Sequence, residues 1–259
     1  MKSFLFAIGF ALPLLLSCSR SGQKTVEREQ QQQPVQAPVY FKVDPSTAGS
    51  IKGVVTFRGK TRPLKPIDMS EDPACEQAHH GKVYDESLVT NRNGTLGNVF
   101  VYVKSGLEGK TFQAPTAPVT IDQKGCWFHP RVMGIETGQT LQVTNSDPVT
   151  HNIHPLAQIN REWNHSQGAG DPPLSRRFIK PEVIIRVKCN IHSWMHAFIG
   201  VLDHPYFAVT GATGTFEIKN LPPGKYVLEA WHETLGVQDQ NIEVPASTAV
   251  QTNFSFKGE

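Results

Sequence analysis

From Gly49 to Glu259 the apolar residues fall in short runs of alternating or β-branched character, and nowhere do a dozen consecutive residues repeat with a helical period. The runs are SIKGVVTF, GNVFVYV, APVTI, TLQVTN, EVIIRVKC, TGTFEI, KYVLEAW and QTNFSF, punctuated by Gly, Pro, Asn and Asp. Strands bounded by turn residues at this spacing predict an all-β chain, most simply a β-sandwich. About 210 residues are enough to bury one large core or two small ones. The stretch from Pro155 to Pro181 is long and irregular, with room for a short helix.

The other end of the chain reads differently. MKSFLFAIGFALPLLLSC carries one lysine, then an almost unbroken apolar run, then a small residue and a cysteine. That run is too short and wrongly flanked for a permanent membrane span and reads as an export signal over residues 1–18. Its end resembles the lipobox of bacterial lipoproteins, which implies a lipidated Cys18 and attachment to a membrane through acyl chains alone. Ser19 is not the aspartate that often marks inner-membrane retention, so the resemblance leans toward the outer membrane; the expected location is the bacterial cell envelope, periplasm or outer membrane. Residues 19–48 are polar, glutamine-rich and end in prolines, the composition of a flexible tether. Lys and Arg total 25 against 23 Asp and Glu, with no basic block, so nucleic acid is not an expected partner.

The chemistry concentrates in CNIHSWMH, residues 189–196: one thiol, two imidazoles and a thioether within eight residues, directly after the strand-like EVIIRVKC. TNSDPVTHNIH places His151 after another strand-like run about forty residues upstream. A soft thiolate, two imidazoles and a weak axial donor on a β scaffold are the donor set of a mononuclear copper site.

VTIDQKGCWFHPRVMGIETGQTLQVTNSDPVTHNIH together with CNIHSWM resembles a cupredoxin of the short-loop, amicyanin- or plastocyanin-like kind, over residues 112–206. The resemblance implies a Greek-key β-sandwich holding one copper ion, Cu(I)/Cu(II), with His151, Cys189 and His192 as the main ligands and Met195 as the weak axial contact. His196 is the alternative axial ligand; adjacent residues of an extended chain point to opposite sides, which favours Met195. The family pattern makes Asn152 a hydrogen-bonding link between the two ligand loops, leaves His154 as a near-site or surface residue, and offers the ring edge of His192 at the surface as the electron port. Trp194 and Phe198 flank that loop, either as an apolar apron around the port or as simple packing.

With Cys18 assigned to lipid and Cys189 to metal, Cys75 and Cys126 remain as a pair in an oxidising compartment and are read as a disulfide; a second metal site from Cys75, His79, His80, Cys126 and His129 is the alternative. His204 and His232 read as structural or surface histidines.

TGATGTFEIKNLPPGKYVLEAWH carries a hairpin signal: Phe216, Ile218 and Leu221 lead into Pro222-Pro223-Gly224, and Tyr226, Leu228 and Ala230 alternate on the way back. It resembles the later half of a carboxypeptidase regulatory-like (transthyretin-like) domain, and GSIKGVVTFRGK resembles the early half. This implies a smaller sandwich in two parts, 49–111 and 207–259, around the copper segment, with two sequential domains or one merged sandwich as the alternatives. No paired carboxylates or base-activated nucleophile stand out, so the expectation is a non-enzymatic electron carrier with a redox protein partner such as a cytochrome. A copper-handling protein and a surface binding module are the competing readings.

Overall fold

A computed structural model describes residues 38–60 and 63–258. Cys18 and residues 19–37 of the expected tether lie outside the described residues.

The chain is built from strands. β1 (Gly49–Arg58), β2 (Pro66–Ile67), helix α1 (Pro73–Gln77), β3 (Val83–Tyr84) and β4 (Phe100–Ser105) come first. There follow β5 (Val119–Lys124), β6 (Trp127–His129), β7 (Val132–Glu136), β8 (Leu141–Asn145), β9 (His151–Pro155), β10 (His165–Gln167), β11 (Leu174–Arg176), β12 (Glu182–Lys188) and β13 (His196–Leu202). The last third holds β14 (Phe207–Val209), β15 (Thr215–Leu221), β16 (Gly224–His232), β17 (Gly236–Val244), β18 (Ala249–Gln251) and β19 (Phe254–Lys257). The all-β expectation holds. The irregular Pro155–Pro181 region contains β10 and β11 rather than a helix, and the helix among the described residues is α1, whose start is set by Asp72 as cap and Pro73 in its first turn.

Two sheets, ordered β10-β9-β12-β13-β7 and β11-β8-β5-β6, face each other across one buried cluster that includes Ile121, Phe128, Ile135, Leu141, Val143, Ile153, Ile185, Val187 and Ile199. A second pair of sheets brings together strands from both ends of the described chain. β1 pairs with β15, β18 and β19, while β4 lies between β14 and β16, with β17 beyond. Ile51, Val55, Val101, Val103, Ile218, Leu228, Phe254 and Phe256 form its core. Packing starts before β1: the Phe41 N–H donates to the Thr111 carbonyl at 2.7 Å and the Phe41 ring meets Phe112 edge-on.

β4 explains how the two cores are joined. Its sequence FVYV is buried at every position, because Val101 and Val103 face one core while Phe100 and Tyr102 face the other side. There they meet Val132, Phe198 and Leu202 in a third apolar cluster, with Trp231 against it. The close approach requires glycine. Gly134 and Gly200 are opposite one another in the β7–β13 pairing, and a Cβ on either would stand 2.2 Å from the Phe207 ring or 2.4 Å from the Phe100 ring. Burying a phenylalanine such as Phe100 in that slot contributes about 1.5–3 kcal/mol.

Two buried titratable groups give the fold a pH signature. Burial raises Glu136 from the ordinary carboxylate range to about 7 and lowers His232 to about 4, and His232 Nε2 has no hydrogen-bond partner. For Glu136 the folded chain binds more protons than the unfolded one between about pH 4.5 and 7, so its contribution to stability falls as pH rises through that window. For His232 the unfolded chain binds more protons between about pH 4 and 6.5, so its contribution rises with pH there. The two slopes oppose each other. Glu136→Gln is expected to add about 1–3 kcal/mol at pH 8 and to leave stability rising between pH 4 and 6.5, as read by denaturant unfolding at a series of pH values. An unchanged pH profile would mean that Glu136 does not carry this burial cost.

Candidate metal centre

The loop following β12 and the first residue of β9 bring Cys189, His192 and His151 together beside the first core. All three are buried, His151 completely and His192 to 3 % exposure. His151 Nδ1 and His192 Nδ1 face each other at 2.9 Å, and Cys189 Sγ lies 3.9 Å from His192 Nδ1. The cysteine loop closes on itself: Cys189 N–H donates to the Met195 carbonyl and Met195 N–H to the His192 carbonyl, each at 3.0 Å. The His192 N–H points at Cys189 Sγ, 3.4 Å away. Met195 is fully buried in the same cluster as Cys189.

Each histidine is turned by a carboxylate behind it. His151 Nε2–H donates to Asp147 Oδ2 at 2.8 Å, and His192 Nε2–H donates to Asp72 Oδ2 at 3.1 Å. A carboxylate only accepts, so both rings carry their proton on Nε2 and present an Nδ1 lone pair to the other. Burial further lowers the His151 pKa and keeps that imidazole neutral, against the opposing pull of Asp147. At 2.9 Å the two Nδ1 atoms are close enough to share one proton or one metal ion. Two imidazoles, a thiolate and a buried thioether therefore fit a soft, small cation held with few ligands.

Around this set, Asn152 Oδ1 accepts the Asn190 N–H and so links the two ligand loops. His196 points away from the cluster: its Nε2 meets Arg131 Nη2 at 2.5 Å and Glu233 Oε2 at 3.5 Å. Met195, by contrast, is fully buried in the cluster that holds Cys189. His154 is turned outward to Glu162 and Asn190.

Cys75 and Cys126 are joined as a disulfide, so neither is available to a second metal; His80 and His129 are exposed, and His79 Nε2 is engaged by the Gly125 carbonyl at 2.7 Å. His204 and His232 are buried rather than on the surface, His204 with both ring nitrogens hydrogen-bonded.

Three features differ from the sequence reading. The ring edge of His192 is not at the surface: Asp72 and Cys75 Sγ, 3.6 Å from Nε2, cover it. The apron splits. Trp194 lies tilted against His192 with ring centroids 5.2 Å apart and donates Nε1–H to the Cys126 carbonyl, whereas Phe198 packs against Trp231 in the third cluster. Asp147, Asp72, Arg131 and Glu233 went unnoticed, although Asp-Pro before Ala74 is a helix-start signal and Asp147 precedes His151 by four residues.

No protein-family model matches the chain, and no curated protein does. Among solved structures it is similar to a copper-containing nitrite reductase from Thermus scotoductus, 24 % identical, covering 38 % of this chain and 25 % of that one with a TM-score of 0.32. It is also similar to a purple cupredoxin from Nitrosopumilus maritimus, 21 % identical over 32 % of this chain and 98 % of that one, TM-score 0.28. A reduced amicyanin variant matches at 16 % identity over 39 % of this chain and 97 % of that one, TM-score 0.30. The matched part thus spans a quarter of the nitrite reductase and nearly all of the two small cupredoxins. These scores do not place the chain in a family.

Proposed function

We propose that the chain is a mononuclear copper protein that carries single electrons. The observation carrying this reading is the pair of Nδ1 atoms 2.9 Å apart beside a buried thiol, each ring oriented by a carboxylate on its far nitrogen. His151, Cys189 and His192 would hold the ion, with the Met195 thioether as a weaker donor. Copper bound there supplies reversible one-electron chemistry, because thiolate, thioether and imidazole suit both of its oxidation states. The chain's own part is rigidity: the loop hydrogen bonds, the Asn152 link and the two carboxylates fix the donors beforehand, and the apolar core excludes water, so little need move when an electron arrives.

The strand pairing supports dividing the chain into a copper-binding sandwich, 112–206, set between the two parts of a smaller sandwich, 49–111 and 207–259. The leader and Cys18 support export and lipid anchoring in a bacterial envelope, where a cytochrome or another electron carrier is the fitting partner. Controlled-potential titration of the copper-loaded protein tests the carrier role. One electron per chain, taken up and returned over repeated cycles without loss of metal, is expected; copper released on each reduction would make the chain a copper-delivery protein instead.

A further inference from the structure

We infer that Asp72, which lies outside the copper-binding segment, is a positioning residue for the metal site; the inference rests on the copper reading above. Its two oxygens do different jobs. Oδ1 accepts the Ala74 and Cys75 N–H groups at 3.0 and 3.3 Å and so starts α1, while Oδ2 takes the Nε2–H of His192 at 3.1 Å. Asp147 mirrors it: Oδ1 and Oδ2 accept the Gly125 and Cys126 N–H groups at 2.6 and 2.8 Å, and Oδ2 also takes the Nε2–H of His151. The Cys75–Cys126 disulfide joins the two backbone segments that these carboxylates organise. The result is a staple with one anion behind each ligand histidine.

Two consequences follow from the chemistry. A carboxylate hydrogen-bonded to the far nitrogen of a ligand imidazole raises the basicity of the ligating nitrogen. Its negative charge also favours the more positive metal ion, so Asp72 lowers the reduction potential. The same residue and Cys75 close off the ring edge, so a redox partner that docks over this loop meets the α1 segment rather than His192.

The test compares Asp72→Asn with Asp68→Asn. Asn caps helices as well as Asp does, so α1 is retained while the carboxylate is lost. Asp68, on the same segment, has a fully exposed carboxylate whose Oδ1 accepts the Ser70 N–H, and it controls for general charge. Asp72→Asn is expected to shift the Cu(II)/Cu(I) affinity ratio about tenfold toward Cu(I), which is about 59 mV upward in potential, and Asp68→Asn by less than a third of that. Equal shifts in the two variants would overturn the role of Asp72.

Ring 15N–1H spectra of the metal-free wild-type protein give an answer that needs neither copper nor a folded variant. A slowly exchanging His192 Nε2–H is expected, and rapid exchange of that proton with water would overturn the proposal. A slowly exchanging proton in a protein that binds no copper would leave the Asp72 contact standing and sink the copper reading, and with it the positioning role.

Discussion

Replacing Glu233 by Gln is expected to destabilise the protein by up to about 3–5 kcal/mol, because it removes the carboxylate paired with the buried Arg131 side chain and leaves it the weaker attraction of Asp85. The Arg131 and Glu233 side chains are only 5 % and 6 % exposed and pair twice, Nε to Oε1 at 2.6 Å and Nη2 to Oε2 at 2.9 Å. Burial pushes the Glu233 carboxyl up, yet the hydrogen bonds from His196 and Arg131 outweigh it and hold the pKa below the ordinary value. The pair bridges sequence-distant elements, since Arg131 precedes β7 and Glu233 follows β16, beside the Phe198–Trp231 contact. The physics makes a second demand. A buried ion pair exchanged for apolar groups of similar size is often neutral or stabilising, so Arg131→Met combined with Glu233→Leu should recover most of the loss. Urea unfolding of both variants decides it. A single variant within about 1 kcal/mol of wild type would mean that water reaches the pair.

Cys189→Ala is expected to abolish any intense sulfur-to-copper absorption and to weaken Cu(I) binding by more than the roughly 10–100-fold typical of losing an outer partner of a ligand. Cys189 is the free cysteine among the described residues, buried at 4 % exposure, and its sulfur faces His192 Nδ1. The fold should survive, because Cys189 is one member of a large buried cluster and the lost volume is small. Circular dichroism and a competition titration with a Cu(I) chelator read the two effects separately. Unchanged Cu(I) affinity in this variant would move the site elsewhere.

Fold class was legible because alternation in runs such as TGTFEI and KYVLEAW reports a half-buried strand residue by residue. The loop CNIHSWMH was legible for a related reason: ligands close in sequence on a tight loop are close in space. What escaped the sequence is what depends on distant pairing. Asp72 is 120 residues from His192, and Glu233 is 102 from Arg131, so nothing in local spacing connects them. The burial of FVYV on both faces reads locally only as an apolar run, and the slot made by Gly134 and Gly200 exists only once β7 and β13 are paired in register. The His192 port was misplaced for the same reason: a ring edge is free or covered according to what another segment lays over it.

In the copper reading proposed above, His151, Cys189, His192 and Met195 form one copper–thiolate site. Optical absorption of the protein without its first 18 residues, followed as Cu(II) is added, tests it most directly. An intense visible band that grows to one equivalent and stops is the predicted result. A solution that stays colourless, with no copper retained after gel filtration, would contradict it.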